Sequence, residues 1–431
     1  MTISQIDPNL IRATASSGSA TIEPDAIDTI ISTVNQIIGI NAAPYIDLRL
    51  APYNIVADST AAAAANTAGI NQAILDYSGT RATLVLPNGT TYVDRANGTN
   101  NWCIKFPAGV TDVMLVGQGM FTTTIVEFTA GDGGGSYTIQ FDQCQRCAVS
   151  DFGIYQDKIT TPDPIQDNHL IGVTNTGAGV TKDIRGWNIY FGKSIGDQIR
   201  IIGDTTPVQE VEFQHFLMHG AGVVTSSPPN GRIGSRSGIA MQRGWSRVSF
   251  HDFYIDGTEN SPFDMEPTGG ASTMEYLDVY DFFIDNSLGL TASAMSIGGV
   301  SAGQRTSHAY FTNGTIKEGA LNLISTNDCR LEHILVTSSV PYVADPTTSS
   351  LIVRQINNDL QFTAMVIERL GTSGTAPCFD IENTGTRTTI RDVTVMQNTP
   401  AMPIVTDGVN NLTIDTANIT YNGTTPSARD G

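Results

Sequence analysis

Residues 250–255 read FHDFYI: an apolar residue, any residue, a polar residue, an apolar residue, any residue and an apolar residue. This six-residue phrase recurs through most of the chain at spacings of about 20 to 37 residues. The other copies are VSDFGI at 149, IRGWNI at 184, FQHFLM at 213, VYDFFI at 279, FTNGTI at 311, LEHILV at 331, FTAMVI at 362, IRDVTV at 390 and IDTANI at 414. The recurrence predicts a solenoid in which each copy belongs to one coil.

The order of residue types inside the phrase predicts how each coil is built. Asp, Asn and Gly are common at the third position, and they accept bend conformations at low cost, so we expect two short strands that meet there. The first, fourth and sixth positions then point inward, where Val, Ile, Phe and Leu stack on the same position of the next coil. The sequence therefore predicts an all-β fold, a parallel β-helix of about ten or more coils.

The fifth position of the phrase faces outward in this arrangement, and it is mostly apolar in the middle coils. Its residues there are Leu217, Tyr254, Phe283, Thr315, Leu335 and Val366, and the end coils carry Gly153, Asn188, Thr394 and Asn418. A contiguous apolar stripe on a monomer needs a cover, which we expect to be other copies of the chain around a threefold axis. The expected homotrimer interface contains Leu217, Tyr254, Phe283, Leu335 and Val366. The alternative is that a long loop of the same chain covers the stripe.

The composition disfavours several classes of protein. The chain has 431 residues, 40% of them hydrophobic, which is enough for a sizeable core. With 42 Asp and Glu against 23 Lys and Arg, the formal charge of −19 disfavours nucleic acids and anionic membranes as partners. No apolar run approaches the roughly 20 residues of a membrane span, and the N-terminal residues lack the features of a secretory signal. We therefore expect a soluble protein, made in the cytoplasm, without membrane insertion.

The cysteines and histidines show no metal-binding pattern. The five cysteines are Cys103, Cys144, Cys147, Cys329 and Cys378. Cys144 and Cys147 form a C-x-x-C without a second pair at zinc-site spacing, so we expect buried structural thiols. His215 and His219 are four residues apart, but they fall on a strand and its exit and not on a helix. We expect no metal and no cofactor.

The segment ahead of the coils, residues 53–93, joins an Ala-rich stretch of helical character to the strand LVLP and a glycine turn. A helix across the first coil covers core that the open end of a solenoid exposes. The order of aspartate, helix with Ile-x-x-Ala-Ile, and strand-Pro-x-Gly-x-x-Tyr resembles the cap of the pectate-lyase-like right-handed β-helix superfamily, especially phage tailspikes and tail fibres. LVGQGMFTTTI at 115–125 is similar to the first coil of such proteins. The resemblance implies a single-stranded, right-handed parallel β-helix.

This architecture divides the sequence into four expected segments. They are an N-terminal arm for attachment or oligomerisation at 1–49, a capping helix with the first strands at 50–110, the β-helix at 111–422 and a tail at 423–431. The superfamily includes polysaccharide lyases, hydrolases, epimerases and viral spikes, so the resemblance implies fold more strongly than chemistry.

Two stretches repeat an acidic pair, PFDMEPTGG at 262–270 and PCFDIENTG at 377–385. The acids alternate with apolar residues, so we expect Asp264 and Glu266 to share one outer face, as Asp380 and Glu382 do later. Cα atoms two residues apart on a strand lie about 6.6 Å apart, a spacing compatible with the carboxylate pairs of glycosidases. Because the phrase occurs twice, we favour a solvated or glycan-binding acidic ladder over a general acid and base. If the protein is a hydrolase, Asp264 and Glu266 are the candidate catalytic residues.

Residues suited to a sugar lie close to the first acidic pair in sequence or on the adjacent coil. We assign substrate binding to Arg243, Trp245 and His251, and also to the second acidic pair, Asp380 and Glu382. Aromatic faces beside carboxylates bind sugar rings, although Trp245 is equally compatible with a position in the core. The aspartate cluster of calcium-dependent lyases is not explicit, so lyase chemistry is the less favoured of the two.

These observations, together with the resemblance, predict a phage virion spike or fibre that binds host cell-surface polysaccharide as a homotrimer. The N-terminal arm is expected to contact other proteins of the particle. Two alternatives remain open: a polysaccharide depolymerase that uses a carboxylate pair, and a purely structural virion component without glycan contact. Whether the protein is an enzyme is left undecided by the sequence.

Overall fold

The described part of the chain in this computed structural model is almost entirely β-structure. It comprises residues 44–95, 101–128, 136–157, 168–204, 206–220, 235–265, 274–287, 293–298, 306–338, 351–355, 357–369, 377–383, 385–397, 404–406, 412–415 and 418–421. No helix in these ranges is long and apolar enough to cross a membrane. The expected tail and all but the last residues of the expected arm lie outside the described residues, so both stay predictions.

A helix covers the start of the solenoid, as the sequence predicts. α1, Ala63–Asp76, follows a 3-10 turn at Thr60–Ala62. Its fully buried apolar residues are Ile70, Ala73 and Ile74. Asn66 holds the helix in place, because its side-chain amide donates to the carbonyl oxygens of Val56 and Tyr92 at 2.9 and 3.1 Å. The cap also contains β1 Tyr45–Asp47, β2 Ala82–Val85 and β3 Gly89–Val93.

Within the described residues, one sheet of the solenoid, called here the short-strand sheet, contains eleven parallel strands, one from each coil. The strands are β4 Trp102–Phe106, β7 Ser136–Asp142, β9 Asn168–Asn175, β11 Ile199–Gly203, β13 Ile239–Met241, β15 Phe263–Met265, β17 Ser293–Gly298, β19 Ala320–Ile324, β21 Leu351–Gln355, β24 Phe379–Asn383 and β27 Ile404–Thr406. Each strand pairs only with the corresponding strands of the coils before and after it, which is the arrangement of a parallel β-helix.

The second sheet, called here the long-strand sheet, also contains β1, β2 and β3 and is built from the recurrent phrase. Its other strands are β5 Val113–Val116, β6 Thr123–Glu127, β8 Gln145–Gln156, β10 Lys182–Phe191, β12 Val208–His219, β14 Trp245–Asp256, β16 Met274–Asp285, β18 Thr306–Lys317, β20 Thr326–Ser338, β22 Asn358–Thr363, β23 Val366–Arg369, β25 Thr388–Arg391, β26 Thr394–Gln397, β28 Leu412–Asp415 and β29 Asn418–Tyr421. Neighbouring strands of this sheet pair in parallel.

The inward positions of the phrase form the core, as predicted. Phe213, Phe250 and Val279 occupy the first position in three successive coils, pair in register and are at most 1% exposed. The rings of Phe216 and Phe253, at the fourth position, stack 4.9 Å apart. Stacking the same apolar residue from coil to coil therefore buries one continuous core along the solenoid.

The expected bend at the third position is confirmed by the backbone. His215, Asp252 and Asp281 have φ of 50°, 54° and 53°, in the left-handed region. The other third-position residues with positive φ are Asp151, Asn313, His333, Ala364 and Asp392, and Asn188 joins them in the coil whose register differs from the predicted one. A second bend, five residues earlier, was not predicted from the sequence. It places Arg146, Asp183, Glu210, Arg247, Tyr276, His308, Asp328 and Asp359 in the same region.

The structure corrects the register of the phrase at residue 184. Gly186 pairs with Phe213, so the phrase in this coil begins at Gly186, and its fifth position is Tyr190 and not Asn188. Glycine occupies the first position because a Cβ on Gly186 would lie 2.4 Å from the ring of Phe213. The aromatic ring of the next coil fills the space that an apolar side chain occupies elsewhere in this column.

All five cysteines are buried, as expected of structural thiols. Burial raises the pKa of the Cys378 thiol to about 12 and raises the pKa of Cys329 further still. Neither thiol is therefore available as a thiolate near neutral pH.

Candidate functional site

The two acidic phrases occupy the same place in their coils. Phe263 and Phe379 lie in one core column, and Asp264 and Asp380 lie in the next column, which faces outward. The column between the two aspartates contains Ser296, Asn322 and Ile352. The aspartates are four strands apart, about 19 Å at the usual strand spacing. The repeat therefore reflects the repeat of the coil.

Within the first phrase, the predicted alternation is confirmed for the described residues. Phe263 and Met265 are in the core, and Asp264 between them is 8% exposed. Glu266 lies outside the described residues, so its expected role with Asp264 stays a prediction. In the later phrase Asp380 is half-buried and Glu382 is exposed. Asp264 is therefore more shielded than the solvated ladder expected from the sequence.

The structure separates the residues that the sequence grouped around Asp264. The rings of Phe250 and Phe263 meet inside the core at 5.8 Å. His251 and Asp264 follow these phenylalanines and point away from the core, so they lie on opposite outer faces of the coil. His251 is bound on its own face, stacked on Tyr280 at 4.5 Å. A single groove lined by His251 and Asp264 is therefore excluded.

The structure places Trp245 differently from the sequence-based assignment, and substrate binding by Arg243 stays a prediction. Trp245 is fully buried in the core and pairs with Val208 of the preceding coil, so its ring offers no surface to a sugar. Substrate binding by Trp245 is therefore corrected to a packing role. Arg243 lies at the corner between the two sheets, where its Nε donates to Asp204 at 2.9 Å.

A buried polar cluster lies at the short-strand sheet, and sequence reasoning missed it. His169 and Asp197 are both fully buried, with Nδ1 of the histidine 3.3 Å from the carboxylate. Arg236 approaches the other carboxylate oxygen at 3.1 Å. Burial alone raises the pKa of Asp197, but the hydrogen bond from His169 and the charges of Arg236 and Arg200 outweigh it and lower the pKa. Asp197 is therefore held as a carboxylate inside the protein.

Arg200 connects this cluster to the outward column of the sheet. Its Nη1 lies 2.5 Å from Nε2 of His169, and its Nη2 donates to Oε1 of Gln242 at 2.7 Å. Nδ1 of His169 is also held, because the backbone N–H of Asp197 lies 3.0 Å from it, so both ring nitrogens have close polar partners. The orientation of Arg200 is therefore fixed by a buried chain of polar contacts. In the outward column, Ala240 separates Arg200 from Asp264.

Earlier coils extend this polar surface toward the cap. Lys105 is bound to Asp142 at 3.0 Å, and Thr176 donates its backbone N–H to the same carboxylate at 3.1 Å. Burial raises the pKa of Asp142, but the bonds from Thr176 and Lys105 outweigh it, so the pKa is lowered overall. Tyr137 packs on the ring of His169 at 5.3 Å. The region named here the polar face consists of outward residues and the buried residues that support them, namely Lys105, Tyr137, Gln140, Asp142, His169, Asp197, Arg200, Arg236, Gln242 and Asp264.

The expected apolar stripe is present on the long-strand sheet. Leu217 pairs with Tyr254, which pairs with Phe283, and the rings of Tyr254 and Phe283 stack at 5.3 Å. Leu217 is 38% exposed, and the other two are half-buried. The column continues through Thr315, Leu335 and Val366. Tyr190 takes the place expected for Asn188, because of the corrected register. The stripe thus faces outward in the single chain, and its role as a homotrimer interface stays a prediction.

Solved structures identify the fold. The mannuronan C-5 epimerase A-module of Azotobacter vinelandii aligns with 89% of this chain and 100% of its own, at 11% identity and a TM-score of 0.56. The fold is a right-handed parallel β-helix. An endo-xylogalacturonan hydrolase of Aspergillus tubingensis aligns with 88% of this chain and 93% of its own, at 11% identity and a TM-score of 0.51.

The Dettilon tailspike protein is also similar, over 88% of this chain and 70% of its own, at 10% identity. Its TM-score of 0.45 is too low to support an argument about this protein. No protein-family model matches the chain, and no curated protein matches its sequence. At these identities the similarity to solved structures establishes the shared β-helix fold and nothing about chemistry.

Proposed function

We propose that the protein is a phage particle spike or fibre that binds host cell-surface polysaccharide along the polar face. The observation that carries this proposal is the fixed chain of contacts from Asp197 through His169 to Arg200. The fully buried side chains of Asp197 and His169 hold the guanidinium group of Arg200 at the outer face. A site held in this way loses little side-chain freedom when a ligand binds.

The arrangement of the polar face suits a polymer better than a small molecule. Polar residues of successive coils stand in columns at a spacing of about 4.8 Å, so one extended chain can contact several coils at once. Arg200, Gln242 and Lys105 offer hydrogen-bond donors, and Asp264 and Asp142 offer acceptors, which together match the hydroxyl groups of a glycan. The resemblance of the cap to phage tailspikes supports the assignment to a virion.

Binding to a panel of bacterial capsular and lipopolysaccharide glycans tests this proposal. We expect Arg200→Ala to weaken binding of the recognised glycan at least tenfold, and Arg200→Lys to weaken it less, because a charge remains but the planar fork is lost. Arg185→Ala is the matched control, since Arg185 is an exposed arginine on the long-strand sheet with Asp183 as its partner. Equal losses in Arg200→Ala and Arg185→Ala, or no binding across a panel that includes the host glycan, would contradict the proposal.

A second candidate function is a depolymerase that uses Asp264 and Glu266. The shielding of Asp264 to 8% exposure favours it, because a partly desolvated carboxyl group is better suited to acid–base chemistry than a solvated one. In this case Glu266→Gln abolishes the release of new reducing ends without changing the melting temperature. Reducing ends accompanied by ultraviolet absorbance of unsaturated uronates indicate a lyase instead. If neither signal appears with a glycan that binds, the protein is a binder.

We also propose that three copies of the chain associate through the apolar stripe, and that the N-terminal arm contacts other proteins of the particle. Charge at Leu217 and Phe283 is expected to separate the subunits, because both residues are desolvated in the trimer. Sedimentation of the Leu217→Asp, Phe283→Asp double variant at micromolar concentration measures this. Thr312→Asp, in another outward column of the long-strand sheet, is the control. A wild-type chain that sediments as a monomer would contradict the proposed trimer.

A further inference from the structure

A depression of about 490 Å³ opens on the outer surface of the long-strand sheet, away from the polar face. It lies between β14 and β16, which are neighbours in the sheet. Its lining residues are Arg247, Val248, Ser249, Tyr276 and Asp278. The volume falls within the range of about 300 to 1,000 Å³ that is typical of small-ligand sites.

The depression exists because two side chains of one column lean apart. Arg247 and Tyr276 occupy the same bend position in successive coils, with positive φ in both. Nη1 of Arg247 binds Glu210 of the preceding coil at 2.6 Å. The ring of Tyr276 stacks on His308 of the following coil at 4.8 Å and an interplanar angle of 11°. Each is held by a partner on its far side, so the space between them stays open.

The lining offers one aromatic face and several polar groups. Tyr276 is 45% exposed, and since His308 covers one side of its ring, the other side faces the depression. Val248 lies beneath and belongs to the core. Ser249 and Asp278, directly opposite each other in the register, add a hydroxyl and a carboxylate. Partial burial raises the pKa of Asp278, so this carboxylate is less well solvated than a free surface acid.

Such a combination matches the two surfaces of a sugar ring. The C–H face of a pyranose packs on an aromatic ring, and its hydroxyl groups donate to a carboxylate and exchange hydrogen bonds with a serine. The charge of the site selects among sugars. Arg247 binds Glu210 on its far side, where Lys182 also approaches Glu210 at 3.4 Å, so the charge beside Tyr276 is the carboxylate of Asp278, which repels uronates and phosphorylated sugars there.

We propose that the depression at Tyr276 and Asp278 is a binding site for one neutral pyranose residue of a glycan. The site lies on a different sheet from the polar face and does not depend on the function proposed there. A protein with both sites contacts a polysaccharide, or two different glycans, at two separate places on its surface.

Saturation-transfer NMR on the full chain tests this site with defined probes. The neutral probes are maltohexaose, cellohexaose and mannohexaose at millimolar concentration, and hexagalacturonate is the acidic probe. We expect saturation transfer to at least one neutral probe, a loss of affinity of tenfold or more in Tyr276→Ala, and retention in Tyr276→Phe, which keeps the ring. Tyr45→Ala is the matched control, since Tyr45 is an exposed tyrosine, 58% accessible, on β1.

Several outcomes overturn the proposal. They are no transfer to any neutral probe, equal affinity in wild type and Tyr276→Ala, or displacement of the neutral probe by hexagalacturonate at equal concentration. Asp278→Asn provides a second test, which does not depend on the ring of Tyr276. It removes the repulsion, so the variant is expected to accept hexagalacturonate at least tenfold better than the wild type, and an unchanged rejection of the acid contradicts the charge argument. A glycan bound only at the polar face is unaffected by either substitution.

Discussion

The polar cluster at the short-strand sheet is buried and its members bind one another, whereas many polar residues of the long-strand sheet stand exposed at bends. On the short-strand side, His169 and Asp197 have no exposed surface, and their contacts fix their side chains. On the long-strand side, Asp281 is exposed and has a φ of 53°. The first two residues are needed for what their side chains bind, and the third for the conformation that its backbone accepts. One repeated scaffold thus holds a buried polar cluster at one sheet and regular backbone bends at the other.

The largest expected effect tests whether the short-strand cluster depends on side-chain chemistry. Asp197→Ala leaves Arg236 and His169 without their buried carboxylate, and we expect it to lower the free energy of unfolding by about 3 to 5 kcal/mol. Asp112→Ala is the control, because Asp112 binds Arg146, which is half exposed, in an ion pair at 2.7 Å. That pair is exposed to solvent, so the loss in the control is expected to be much smaller. Urea unfolding of both variants measures the difference, and similar losses would remove the distinction between the two faces.

The next effect concerns the inside of the long-strand sheet. Gly186→Val places a side chain against the ring of Phe213, and we expect it to destabilise the fold by about 1 to 3 kcal/mol. Combining it with Phe213→Val makes room, so the double variant is expected to be more stable than the sum of the two single changes predicts. The same unfolding measurement completes the cycle. Additive losses would mean that Gly186 does not face Phe213 and that the corrected register is wrong.

The long strands and the cap helix could be predicted from the sequence, because their signals are local. The long strands were found because a bend residue and three inward residues recur within six positions, so their signal is local. The error at residue 184 arose because Gly186 replaces an apolar residue in a column where Phe213 fills the space. The cap helix was recognisable because its order of helix, strand and turn is also local.

The polar face could not be predicted in the same way. The short strands of 3 to 8 residues lie between loops of variable length, so the six-residue phrase does not align them. His169 contacts residues 28 and 31 positions further along the chain, and only the stacking of coils brings them together. Trp245 was misassigned for the related reason that its inward position depends on pairing with Val208. Aligning the segments between successive phrases offers a way to find such residues.

A smaller effect tests the claim that the bends depend on backbone conformation. Asp281→Val forces a β-branched residue into the left-handed region, and we expect a loss of about 1 to 2 kcal/mol. Asp281→Gly removes the same carboxylate but accepts the conformation, so its loss is expected to be smaller. Thr312→Val, at an outward position of the adjacent strand that is not a bend, is expected to be nearly neutral. If Asp281→Val and Asp281→Gly lower the free energy of unfolding equally, the side chain and not the backbone conformation determines this bend.

The smallest effect is the acid dependence of the polar face. The folded state lowers the pKa of Asp142, so this group contributes stability that is present above its unfolded pKa of about 3.9 and is lost as the pH falls through the folded value. Asp142→Asn removes this titration, and the slope of unfolding free energy against pH below about pH 4 is expected to fall by up to roughly 1.4 kcal/mol per pH unit. Urea unfolding between pH 2.5 and 7 measures the slope. An unchanged slope would mean that Lys105 and Thr176 do not favour the charged form, and the polar face would then lose one of its fixed acceptors for a bound glycan.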